Sequence, residues 1–220
     1  MFSRRVLQSI VIDSTNTFTE LCELGKNIGI DKSPYNQREN THRHPYTGVY
    51  SMLFGSLKNK EIQFAEIGIA SGGSVILWNQ YFTNPSTRFR FFDCDEDFLN
   101  NSRSFRFPVP RSTFDVMDVC KDGDITRALS GSGQYDVIVD DSTHHHSAQI
   151  RIIKEALPFI KPGGYIIIED INRGVPDEIF ENGLVDIFPE CSEAYFVMCE
   201  HVLKFSPGWN NDKLLVLVKK

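Results

Sequence analysis

IQFAEIGIASGGSVILWNQYF, residues 62–82, decides the fold. Ile62 to Gly68 is a short apolar run, the length and composition of a buried strand. It runs into the turn Glu66-Ile67-Gly68-Ile69-Ala70-Ser71-Gly72-Gly73-Ser74, and SVILWNQYF (74–82) continues as a helix. Glycines between a strand and a helix let the backbone approach a ligand and let the helix pack closely. The spacing is G-x-x-x-G-G rather than the G-x-G-x-x-G of dinucleotide turns, which speaks against a nicotinamide cofactor.

Working downstream, RFRFFD (88–93), STFDVMD (112–118), YDVIVDD (135–141) and GGYIIIED (163–170) read as further strands. Helices are expected over about 122–130 and over 146–160. Near-continuous apolar strands alternating with helices imply a parallel sheet covered on both faces. AYFVMC (194–199) and KLLVLVK (213–219) are separated by a polar loop with no room for a crossover helix, so they should pair antiparallel. Upstream, Leu7, Ile10, Val11, Phe18, Leu21 and Leu24 recur at roughly helical spacing, so residues 1–25 read as a helix stopped by Gly25. Residues 26–47 are a long polar, lid-like segment, and 48–59 read as a second helix. The expected fold is α/β: a mostly parallel, Rossmann-like sheet of seven strands with an antiparallel C-terminal hairpin. The expected organisation is a single domain over 1–220, with a helical, lid-like part (1–60) and a core (61–220).

Composition narrows the function. The chain has 220 residues, 41% hydrophobic and 24% charged, the balance of a folded globular protein. The net charge of −6 argues against a nucleic-acid or anionic-membrane surface. No apolar run is long enough to span a bilayer. The start, MFSRRVLQSIVID, has an apolar stretch too short for a signal peptide. Five scattered cysteines without a C-x-x-C suggest neither a disulfide framework nor a zinc knuckle, so a reducing, cytoplasmic setting is the expectation.

The strand ends carry the chemistry. Asp140 and Asp141 end one strand and are followed by Ser142-Thr143-His144-His145-His146; Glu169 and Asp170 end the next. In a parallel sheet these groups gather at one edge. Up to four carboxylates cannot stay close without a counter-ion, and oxygen ligands plus water suit Mg²⁺ or Mn²⁺. Zinc is disfavoured, because consecutive histidines cannot all point one way in extended backbone.

A parallel α/β sheet that ends in an antiparallel hairpin resembles the class I S-adenosylmethionine (SAM) methyltransferases. Glu66 with the glycine turn is similar to their E/D-x-G-x-x-x-G pattern. The resemblance implies SAM as cofactor, held by Glu66, Gly68, Gly72, Gly73, Ser74 and Asp140. It also implies Asp93 at the ribose, with Asp95 the nearby alternative, and Asp118 at the adenine, unless Asp118 is a helix cap.

Asp140-Asp141-Ser142-Thr143-His144 and Glu169-Asp170-Ile171 resemble the D-D-G-S-H and E-D-M-like motifs of the Mg²⁺-dependent sugar O-methyltransferases of macrolide biosynthesis. Asp31-Lys32, His44-Pro45-Tyr46, Tyr50 and the run Leu77–Phe82 are similar to further segments of that family, so the likeness spans about 29–171. It implies Asp141, Glu169 and Asp170 as metal ligands and His144 as general base, with His145 or His146 as substitutes. A metal that gathers two acceptor oxygens lowers the pKa of a hydroxyl, and a near-neutral histidine can take its proton.

The expected partner is a small hydroxylated acceptor, a sugar or glycosylated metabolite. It would be met by Lys32, Arg38, His42, Arg43 and His44 of the lid-like segment. No nucleic acid and no membrane are expected, and no N/D-P-P-Y-type motif follows the fourth strand. The family's tendency to self-associate leaves a homo-oligomer open. The alternatives are a non-catalytic SAM-binding scaffold, or another enzyme on this scaffold, since proteins known as cephalosporin hydroxylases share these motifs.

Overall fold

A computed structural model describes residues 6–104 and 109–220. Its centre is an eight-stranded sheet. The strands are β1 (Gln8–Asp13), β2 (Gln63–Ile67), β3 (Arg88–Asp93), β4 (Ser112–Val116), β5 (Tyr135–Asp140), β6 (Ile160–Ile168), β7 (Cys191–Glu200) and β8 (Lys213–Lys219). Their order across the sheet is β1-β7-β8-β6-β5-β2-β3-β4. β6, β5, β2, β3 and β4 run parallel, and β8 lies antiparallel between β6 and β7. The α/β sheet and the C-terminal antiparallel pair are therefore as expected.

The N-terminus corrects the expectation. Residues 8–13 are not helical: β1 pairs parallel with β7, from Gln8 against Tyr195 to Asp13 against Glu200, and raises the strand count from seven to eight. A short apolar run fits either period, and here the open edge of β7 supplies partners that local periodicity cannot reveal. The helix α1 begins only at Glu20 (Glu20–Ile28), where Thr19 Oγ1 accepts from the Cys22 amide at 3.3 Å. Residues 1–5, also within the expected helix, lie outside the described residues.

The remaining helices are α2 (Tyr46–Phe54), α3 (Gly73–Tyr81), α4 (Glu96–Arg103), α5 (Asp124–Leu129), α6 (His146–Ala156) and α7 (Asp177–Gly183). Strand alternation divides the core between the two faces of the sheet. Ala65, Ile67, Ile138, Ile166 and Ile168 join one apolar cluster, which includes Ile152 and Ile153 of α6. Phe64, Val137, Val139 and Ile167 join the other, with Trp78 of α3 and Tyr50 and Phe54 of α2. Phe54 stacks on Tyr50 at 5.0 Å and meets Trp78 at 5.8 Å. Burying such an aromatic side chain is worth roughly 1.5–3 kcal/mol. This packing holds α2 against the sheet and aims its tyrosines at the strand ends.

Chain order reverses around β2: β3 and β4 extend to one side, β5 and β6 to the other. In open α/β sheets that crevice, at the carboxyl ends of the strands, is where ligands bind.

Candidate active site

Backbone hydrogen bonds continue past the strands and line up the groups at the crevice. Gly68 N donates to Phe92 O at 2.8 Å, Asp141 N to Ile67 O at 2.8 Å and Glu169 N to Asp140 O at 2.9 Å. At Gly68 (φ +86°) a Cβ would lie 2.2 Å from the Asp141 carbonyl oxygen, so only glycine lets the two loops touch. Gly72 (φ 78°) precedes α3 in the same left-handed conformation. Ala70, His144 and Asp170 also have positive φ (43°, 54° and 56°). Non-glycine residues in that region carry local strain, here gathered at one edge of the sheet.

A cavity of about 640 Å³ lies between the glycine turn and the segment 28–42. Ile69, Ser71, Gly73 and Ser74 line one side, Arg38 and His42 the other, and Lys32 and Asp141 are also in its wall. The volume suits a small organic ligand. Of the expected cofactor residues, Gly73 and Ser74 line this cavity, as does Asp141.

Other expected groups are engaged by the protein itself. Asp93 Oδ2 accepts from the Ile69 and Ala70 amides at 2.9 and 3.1 Å, so it shapes the glycine turn, and its Oδ1 accepts from the Asp95 amide at 3.0 Å. Asp118 Oδ1 accepts from the Cys120 amide at 2.9 Å, a local turn bond, and the cap of α5 is Gly123 rather than Asp118. Asp140 is buried: its Oδ1 accepts from Ser142 Oγ at 2.6 Å, while Oδ2 has no partner. Burial pushes the Asp140 carboxyl up to about 7, against the lowering effect of Ser142.

The acids part into two groups. Lys32, 2% exposed, reaches Asp141 Oδ2 at 2.5 Å, Glu169 Oε2 at 2.6 Å and Glu66 Oε1 at 3.4 Å. Tyr50 Oη donates to Glu169 Oε1 at 2.5 Å, and Trp78 Nε1 to Glu66 Oε2 at 3.1 Å. Burial pushes Glu66 up to about 7, with Lys32 opposing. For Lys32 itself, burial works to lower the pKa, and the surrounding acids overcome it and raise it well above the usual lysine range.

The second group joins the part-exposed Asp141 and His144 to the buried Asp170. Asp141 Oδ1 and Asp170 Oδ2 lie 3.9 and 3.7 Å from His144 Nε2. One donor atom from each of the three residues falls within 4.8 Å of the others, a spacing that suits a shared cation. Tyr46 Oη donates to Asp170 Oδ1 at 2.5 Å. Stacked on Tyr46, His44 bonds Asp212 Oδ1 through Nδ1 at 2.8 Å and lies 3.8 Å from Asp170 Oδ1. Burial works to lower the His44 pKa, but Asp212 and Asp170 outweigh it and raise it.

Of the three consecutive histidines, His144 is the one whose ring faces these acids. His145 caps α6, its Nδ1 accepting from the Ser147 amide at 3.4 Å, and it stacks on His146 at 4.5 Å. Lys32 and His44 were expected at an acceptor; the structure instead buries both among acids. The hydroxyl roles of Tyr46 and Tyr50 were missed. Their four-residue spacing on α2 was the available signal, since it puts both phenols on one helix face. Asp212 carried no local signal.

Residues 65–171 match the family model for a methyltransferase domain. Over those residues the chain is similar to methyltransferase domains. Curated relatives of this domain include the 8-demethyl-8-alpha-L-rhamnosyl tetracenomycin-C 2'-O-methyltransferase of Streptomyces olivaceus. It is 26% identical over 135 residues, 58% of this chain and 33% of the relative. The mycinamicin VI 2''-O-methyltransferase of Micromonospora griseorubida is 26% identical over 137 residues, 58% of this chain and 32% of the relative. The chain thus matches about a third of the length of these relatives. Among solved structures, the fold resembles that of MycE methyltransferase of the mycinamycin pathway, determined with Mg, SAH and mycinamycin VI. The TM-score is 0.65 at 17% identity, covering 92% of this chain and 55% of MycE, a likeness of fold. Among the described residues no helix is long and apolar enough to cross a membrane.

Proposed function

We propose that this protein transfers a methyl group from SAM to a hydroxyl of a small, sugar-bearing acceptor with the help of a divalent cation. One observation carries the reading: the cavity over the glycine turn shares Asp141 with the open Asp141–His144–Asp170 cluster. A ligand on the turn would therefore meet an acid and imidazole group suited to activating a hydroxyl. The relatives named above, one a methyltransferase of a rhamnosyl tetracenomycin-C and the other of mycinamicin VI, support the acceptor class.

The donor set fits a hard cation: two carboxylate oxygens, an imidazole beside them, and open faces that leave room for water. When bound, SAM would supply the methyl group and a divalent ion on Asp141 and Asp170 would make the acceptor hydroxyl more acidic. The rest falls to the chain. The glycine turn offers backbone without side chains where the cofactor lies. His144 Nε2 takes the proton of the acceptor hydroxyl, and Asp141 and Asp170 stabilise the imidazolium that results. Tyr46, bonded to Asp170 Oδ1, leaves Oδ2 turned toward His144.

Isothermal titration with SAM and S-adenosylhomocysteine, with and without Mg²⁺ and with NADH as control, tests the cofactor. Micromolar binding of the SAM pair and none of NADH is expected. Absence of SAM binding in every condition would remove this reading.

A further inference from the structure

Among the described residues every arginine but one donates a side-chain hydrogen bond to the protein. The exception is Arg43. Its Nε is shut off from solvent without a partner, and its guanidinium lies over the Phe205 ring, 5.1 Å from the centroid. A buried donor left without an acceptor is costly and calls for an explanation. The position is built rather than loose. Arg43 N donates to Phe205 O at 2.8 Å, and Phe205 N to Arg43 O at 3.2 Å. Just upstream, Asn36 is 3% exposed; its Oδ1 accepts from the Arg38 amide at 3.0 Å and its Nδ2 donates to Thr41 Oγ1 at 3.1 Å.

These residues wall a cavity of about 280 Å³ that contains Arg43, Phe205 and Arg38 in its lining. Arg38 spends Nη2 on Ile28 O at 3.2 Å and keeps its other donors. Ion pairs hold Arg90, Arg127, Arg151 and Arg173, but among the described residues none holds Arg38 or Arg43. Glu39 is the one acid in the lining, so the cavity is net positive in a chain of net charge −6. Two guanidiniums with spare donors match the oxygens of a carboxylate or a phosphate.

We propose that this cavity is the subsite for an anionic group of the acceptor, so that the hydroxyl to be methylated belongs to an acidic sugar, either a uronic acid or a sugar phosphate. This deepens the methyl-transfer reading above and rests on it. The location fits. Arg43 precedes His44, whose Nδ1 is 3.8 Å from Asp170 Oδ1, and Ser206, which follows Phe205, has its Oγ 3.5 Å from the same nitrogen. Arg38, Asn40 and Thr41 line both this cavity and the one over the glycine turn, whereas Arg43 lines this one alone. An acceptor anchored here by its anion therefore lies beside the cofactor cavity without entering it.

The test is isothermal titration of the full chain with inorganic phosphate and with acetate, in metal-free buffer at constant ionic strength, with and without saturating S-adenosylhomocysteine. At least one anion should bind with a Kd on the order of 1–10 mM. Arg43→Gln should weaken that binding about tenfold, as loss of one charge-assisted hydrogen bond does. Arg43→Lys, which keeps the charge and loses the planar fork, should fall between the two. Tighter binding of phosphate supports a sugar phosphate, and tighter binding of acetate a uronic acid. Bound S-adenosylhomocysteine should leave the anion affinity within about twofold, as for independent sites. Competition between the two overturns the proposal, because the arginines would then serve the cofactor's own carboxylate. Failure of both anions to bind overturns it, as does equal binding by the native protein and a folded Arg43→Gln. Should Arg43→Gln fail to fold, Arg38→Gln, at an exposed position, decides by the same loss. Arg43-dependent anion binding by a protein that never binds S-adenosylhomocysteine supports the subsite and overturns the methyltransferase reading, so the two fail separately.

Discussion

Glu66 and Glu169 on one side, and Asp141, His144 and Asp170 on the other, belong to one sheet edge but lie in different media. The first two are dry: Glu169 is bonded by Lys32 and Tyr50, and Glu66 by Trp78 with the Lys32 ammonium 3.4 Å away. Of the other three, Asp141 and His144 are part-exposed and Asp170 is buried at their side, and they stand close together without direct hydrogen bonds between them. Buried ionisable groups that are fully partnered hold a shape, and breaking one contact leaves an uncompensated charge. Wet groups with spare valence can exchange a proton or an ion. Adjacent residues, Glu169 and Asp170, fall on opposite sides of this line: Glu169 is bonded to Lys32 and Tyr50, while Asp170, in left-handed backbone, lies beside His144.

The strongest challenge to this division is His144→Ala. Turnover should fall about 10²- to 10⁴-fold, the usual share of a general base, with SAM affinity within about threefold of native. Equal loss of turnover and SAM binding would make the histidine structural. Next is Gly68→Ala, which touches the frame shared by both groups. A Cβ at 2.2 Å from the Asp141 carbonyl, in left-handed backbone, should cost about 3 kcal/mol or more in chemical denaturation. A stable Gly68→Ala protein would show that the two loops can part.

On the dry side, Tyr50→Phe strips Glu169 Oε1 of its donor and should cost about 1–3 kcal/mol of stability. The same change at Tyr46, whose partner Asp170 is wetter, should cost less, and equal costs would erase the contrast.

The smallest effect concerns pH. The folded pKa of Asp140 is about 7, above the usual carboxylate value of 3.8. The folded state therefore holds a proton that the unfolded chain has released between those values. Its contribution falls as pH rises through that window, and stability is favoured on the acid side. Asp140→Asn, compared in EDTA, should show a flatter stability profile between pH 4 and pH 7. An unchanged profile would mean that Asp140 does not titrate there.

The parallel sheet was legible because its strands are continuous apolar runs punctuated by helices, and β2 with its glycine turn fixed the crevice. The acids at the ends of β5 and β6 were legible for the same reason, since their strands bring them together. Lys32, Tyr46, Tyr50 and Asp212 were harder. Each reaches the site from an element distant in sequence, and nothing local says that a lysine in a polar segment will be buried among acids. The helices α4 and α7 are short and mostly polar, with little periodicity to read. The first strand failed for the complementary reason: its apolar spacing fitted a helix, and only the free edge of β7 decided otherwise.

That edge position has a consequence for how the chain is made. Gln8 through Asp13 leave the ribosome long before Tyr195 through Glu200, the residues they pair with. This strand must therefore wait, unpaired, until β7 has been synthesised, and it closes the longest loop of the sheet. Because β1 pairs with β7 alone, its docking depends on the last part of the sheet to be made and on none of the strands between them in the chain.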